Sequence, residues 1–118
     1  MSTKTLTLRQ LRTAVRRCSA QLSAMIARTR AADANAVTIG QSNRTEFHDI
    51  VVHSMGLLRG SLPHSHSYLS MITRAYAGSV HLPEGAPSID AAGAIVAVLN
   101  TVIANIVLDE ETLSENPG

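Results

Sequence analysis

Apolar and small side chains recur at helical spacing along most of this chain, and no segment alternates as a half-buried strand requires. Leu8, Leu11, Val15, Cys18, Leu22, Met25 and Thr29 follow one another at steps of 3-4-3-4-3-4, a heptad stripe that holds one helix face against a partner. The stripe predicts a first helix over about 7–33, capped by Thr5 or Thr7 and free of internal Pro or Gly. A looser stretch, 34–42, then turns the chain. Asn43 with Glu46 three residues on has the form of an N-cap and its returning carboxylate. It opens a second helix over about 44–59, whose apolar face is Phe47, Ile50, Val51, Ser54 and Leu58; Gly60 and Pro63 end it. Ser65 or Ser67 caps a third helix over about 66–77, carrying Tyr68, Leu69, Ile72, Ala75 and Tyr76. "GSVHLPEGAPS" (78–88) is a loop by its prolines and glycines. Ser88 then caps a fourth helix over about 89–113, and 114–118 is a frayed tail.

The fourth helix shapes the fold prediction. Residues 91–108 form a run of 18 without a charge, close to the length that spans a bilayer. Asn100 and Asn105 would each bury an amide in lipid, and Asp109, Glu110 and Glu111 stand at the exit with no basic residue near either end. The run therefore reads as a helix covered by protein on most sides, and three short neighbours cover such a helix poorly. The expected fold is all-α: an antiparallel four-helix bundle, or helical hairpins completed by oligomerisation, in one domain over 1–113. The expected interface is the stripe of Leu8, Leu11, Val15, Leu22 and Met25 together with Val96, Leu99, Ile103 and Ile106.

Composition agrees with a packed helical core. Of the 118 residues 45% are hydrophobic and 3% aromatic, enough apolar surface to exclude a wholly disordered chain. With no Trp, and Phe47, Tyr68 and Tyr76 as its only large rings, the chain lacks a base-stacking platform. The lone Cys18 cannot form an internal disulfide and residues 1–7 do not resemble a secretory leader, so a cytoplasmic setting is expected. The net charge of +1 hides an asymmetry: 1–44 holds eight basic residues and one acid, whereas 75–118 holds six acids and no Lys or Arg. Ends of opposite sign attract, within a chain or between subunits.

Candidate chemistry gathers in "EFHDIVVHSM" (46–55). Asp49 and His53 are one helical turn apart and share a face, a spacing that suits a metal or a positioned imidazole; His64 and His66 could fold back as further ligands. The stretch resembles the phosphoacceptor box of the sensor histidine kinases, whose dimerising helix carries Glu-Leu-His-Asp, a hydrophobic pair and His/Gln-Ser-Leu. That resemblance implies a phosphorylated His48 with Asp49 as its acid–base helper, although Thr45 stands where a basic residue is usual. "DIVVH" (49–53) also resembles the zinc-binding segment of mycothiol-dependent maleylpyruvate isomerases, which implies His53 as a zinc ligand; the later Glu and His–Asp ligands of that family have no counterpart. The two resemblances place the chemistry on different histidines. Arg9, Arg12 and Arg16 form a separate stripe, with Arg17 beside it, that could meet phosphates of nucleic acid or nucleotide.

No helix-turn-helix, phosphate loop or nucleophile elbow accompanies these residues. The sequence thus points to a non-enzymatic oligomeric helical protein acting through protein–protein contact, as adaptor, regulator, inhibitor or assembly subunit, with no cofactor. Nucleic acid and membrane are disfavoured partners. The alternatives are histidine-centred phosphotransfer or a metal site at His48, Asp49 and His53, and anion binding by the arginine stripe.

Overall fold

A computed structural model describes residues 7–61, 65–79 and 87–115, with the backbone alone at 78–79 and 107–115. Among the described residues are four α-helices, α1 (Leu8–Ala32), α2 (Arg44–Ser61), α3 (His66–Ser79) and α4 (Ile89–Glu115), and a 3-10 turn at Gln41–Asn43. No strand occurs among the described residues, so the all-α expectation holds. The helices run up-down-up-down: α1 packs on α2 and α4, and α3 packs on α4 and α2.

Each start has a local cause. Thr7 caps α1 in a reciprocal box: its hydroxyl accepts from the Gln10 amide at 3.1 Å, and the Gln10 side chain accepts from the Thr7 amide at 3.0 Å. Ser88 caps α4, its hydroxyl accepting from the Ala91 amide at 2.9 Å. The cap expected of Asn43 and Glu46 takes another form. The Asn43 side chain donates backward to the Ile39 carbonyl at 2.7 Å, and Glu46 lies 3.7 Å from Arg28 on α1. The 3-10 turn that runs into α2 changes where the Asn43 side chain points. The Arg28–Glu46 pair is open to solvent and contributes at most about 1 kcal/mol.

The loop before α2 does more than turn the chain. Ile39 is buried, and its amide donates to the Pro87 carbonyl at 3.0 Å, while the Ile89 amide donates to the Val37 carbonyl at 2.8 Å. These two bonds tie the α1–α2 connection to the start of α4 through an isolated Thr38–Ser88 bridge. Gly40 follows at φ 86°, a backbone angle that side chains with a Cβ seldom adopt.

The core is one cluster. The α1 stripe of Leu11, Val15, Cys18, Leu22 and Met25 meets Phe47, Ile50, Val51 and Leu58 from α2, Ile72 from α3, and Ile95, Leu99, Val102 and Ile106 from α4. Full burial of each large side chain is worth about 1.5–3 kcal/mol against exposure. The predicted faces of α1 and α2 are therefore the observed ones. Ser54 also sits fully inside, its hydroxyl donating to the Val51 carbonyl at 2.8 Å.

Candidate functional site

Cross-helix hydrogen bonds fix how the helices lie beside each other. On α1, the Ser19 hydroxyl donates to Asn100 Oδ1 of α4 at 2.7 Å, and the linked loops join the end of α1 to the start of α4. The two helices are therefore antiparallel, and the first turns of α1 lie alongside the last turns of α4. This register brings the arginine-bearing end of α1 to the acidic end of α4 within one chain. Arg9 and Arg16 are exposed, and Arg12 is half-buried. On the other flank of α4, the Asn105 amide donates to the Tyr68 hydroxyl of α3. The two amides that interrupt the apolar run of α4 are both used to bind its neighbours.

The histidine cluster separates into individual contacts. His48 lies on the solvent side of α2, with Nδ1 2.6 Å from the Tyr76 hydroxyl of α3 and the two rings tilted at 58°. Tyr76 stacks on Phe47 at 5.8 Å between ring centroids, so His48 belongs to an aromatic contact that pins α3 to α2. Asp49 and His53 are exposed, and no hydrogen bond or ion pair joins them. Among the described residues no three His, Cys, Asp or Glu side chains gather closely enough to hold a metal ion. His66 is exposed at the start of α3, and His64 lies outside the described residues. The structure therefore does not assemble Asp49, His53 and His66 into one site.

The expected interface divides as well. Leu11, Val15, Leu22, Met25, Leu99 and Ile106 are inaccessible inside the single chain, and Leu8, Val96 and Ile103 are half-buried against the same core. The chain's own helices cover the stripe. What stays open on α4 is the opposite side: Gly93, Ala94, Ala97, Thr101 and Ala104 are all exposed. Ala94, Ala97, Thr101 and Ala104 step 3-4-3, a second heptad seam built of small residues. The Thr101 hydroxyl donates to the Ala97 carbonyl at 2.9 Å, so its polar atom is already satisfied. Ala94, Ala97 and Thr101 of this seam line an open groove of about 470 Å³ between α3 and α4, with Met71, 51% exposed, and Arg74 on its α3 wall. Side-chain size does not mark this face, because most of its residues are alanines. Their spacing was the available signal.

The window from Ile89 to Ile106 is apolar and long enough to cross a membrane by length and composition, with mean hydropathy 1.8 and 39% of it buried in the chain. Against known proteins the chain stands apart: no family model, no curated protein and no solved structure matches it.

Proposed function

We propose that this chain is a helical interaction protein that pairs with a second copy of itself through the outward seam of α4. The observation that carries the reading is that α4 has apolar seams on two sides, and its own chain covers only one of them. An uncharged helix face that lies open is the kind of surface another protein covers. A second copy is the favoured occupant because the seam is self-complementary. About a two-fold axis near Leu99, Ala97 meets Thr101 of the other copy and Ala94 meets Ala104. Alanine-sized residues let the two helix backbones approach closely, and the run 91–108 has no charge to repel its copy. The assembled pair would serve as an adaptor, regulator or assembly subunit, with its remaining surfaces free to meet other proteins.

Light scattering tests this directly. Wild-type protein is expected near twice the chain mass of 12.5 kDa, and Ala97→Glu near one chain mass with unchanged helicity. Ala97 is exposed, so the variant leaves the core intact. A wild-type monomer at tens of micromolar overturns the proposal, and so does a monomer that sediments with phospholipid vesicles. A dimer that survives Ala97→Glu would place the interface elsewhere and overturn the seam.

A further inference from the structure

The α2–α3 hairpin carries a second feature, which meets the α4 seam only at Arg74. An open groove of about 600 Å³ runs between these helices, and two arginines border it: Arg59 from the last turn of α2 and Arg74 from the middle of α3. Both are exposed, and neither has an acidic partner among the described residues. The sequence accounts for this isolation. From Ile50 to Pro83 the chain contains no Asp or Glu at all, while the same stretch holds both arginines and four of the five histidines. A paired surface arginine is the ordinary case in a bundle whose acids are spread evenly. Here the stretch that carries both cations offers neither an acidic neighbour in sequence.

The other lining residues add donors and an apolar wall. His66, Ser70 and Thr73 on α3 share the groove at helical spacing, one imidazole and two hydroxyls along a single face. Met55 on α2 and Leu69 on α3 add apolar surface to the same groove. His66 and Arg74 are eight residues apart on α3, about 12 Å along the axis, so the donors spread over a ligand-sized length. Guanidinium forks bind phosphate oxygens in pairs, and hydroxyl donors complete such a shell.

We infer that the α2–α3 groove is a binding site for a small organic phosphate, with its phosphate held by Arg59, Arg74 and the Ser70 and Thr73 hydroxyls and its apolar part resting on Met55 and Leu69. A phosphate with an apolar body fits both walls, whereas a bare anion uses only one. The site shares no residue with Arg9, Arg12 and Arg16. It shares only Arg74 with the α3–α4 groove.

Calorimetric titration in a phosphate-free buffer of fixed ionic strength tests the inference, with 1-naphthyl phosphate and inorganic phosphate as separate probes. Wild type is expected to bind naphthyl phosphate at least tenfold more tightly than inorganic phosphate. Arg59→Gln and Arg74→Gln should each weaken naphthyl phosphate about tenfold or more, and the double variant should abolish binding with helicity retained. Arg9→Gln on α1 is the control and should bind as wild type does. Absence of naphthyl phosphate binding at millimolar concentration overturns the site. Equal affinity in wild type and the double variant, an equal loss in Arg9→Gln, or equal affinity for the two probes overturns it as well. Because Arg59 lies on α2 away from the α4 seam, loss of binding in Arg59→Gln with an unchanged solution mass separates this site from the pairing of copies.

Discussion

The two sides of α4 have the same spacing and opposite fates. Its inner side places Ile95, Leu99, Val102 and Ile106 at steps of 4-3-4, and all four are fully buried. Its outer side places Ala94, Ala97, Thr101 and Ala104 at steps of 3-4-3, and all four are exposed. Spacing decides which residues share a helix face. Side-chain volume decides which face the chain covers for itself, because burying a leucine removes far more apolar surface from water than burying an alanine. The small side remains for a neighbour whose backbone can come close.

Breaking the inner side should have the largest effect. Leu99→Ala is expected to lower unfolding stability by about 2–5 kcal/mol, since it leaves a cavity among α1, α3 and α4 side chains that collapses only in part. Ala97→Ser on the outer side, measured on dilute protein below the pairing concentration, should stay within about 0.5 kcal/mol. Urea denaturation followed by circular dichroism checks both. Equal losses at the two positions would contradict the assignment of inner and outer sides.

A mid-sized effect is expected where the short hairpin closes on itself. Tyr76→Phe keeps the stack on Phe47 and removes only the hydroxyl that meets His48 Nδ1. The expected loss is about 0.5–1.5 kcal/mol, the usual net worth of one hydrogen bond. His48→Gln retains a polar side chain and should lose less than Tyr76→Phe. If His48→Gln costs more, His48 has partners beyond Tyr76 that dominate its contribution.

Much of this contrast was legible in the residues, and the failures have physical reasons. The α1 stripe from Leu11 to Met25 and the α2 face from Phe47 to Leu58 are read from spacing alone, because large apolar residues leave one choice of buried side. The destination of the α1 stripe was not legible: a heptad seam looks alike whether its partner is the chain's own α4 or another copy. The link between Val37–Ile39 and Pro87–Ile89 was hidden because two hydrogen bonds between loops leave no periodicity. Asn43 and Glu46 carry a cap pattern, yet Asn43 bonds back to Ile39 and Glu46 faces Arg28 instead. Asp49 and His53 sit one turn apart as the sequence requires, yet that spacing brings two side chains to one face and supplies no third. The groove of Arg59 and Arg74 joins two helices, and only the missing acids between residues 50 and 83 hinted at it.

The smallest expected effect probes the depth of the inner side from the α1 flank. Cys18 lies in the stripe facing the core, 2% exposed, and burial pushes its thiol above the ordinary value, with the nearby Arg17 charge opposing in part. The folded chain therefore keeps the thiol proton at pH values where the unfolded chain has begun to release it. The unfolded state binds fewer protons there, so stability must fall as pH rises. The stabilisation is fully present below the unfolded thiol pKa, about 8.5, and is lost progressively as pH climbs through the folded value. Tyrosines titrate in the same range, so the informative quantity is the difference between wild type and Cys18→Ala. Urea midpoints from pH 7.5 to 10.5 should fall more steeply for wild type than for Cys18→Ala. Parallel slopes would mean that the thiol reaches solvent in the folded chain, and that the α1–α4 contact opens far more readily than its packing implies.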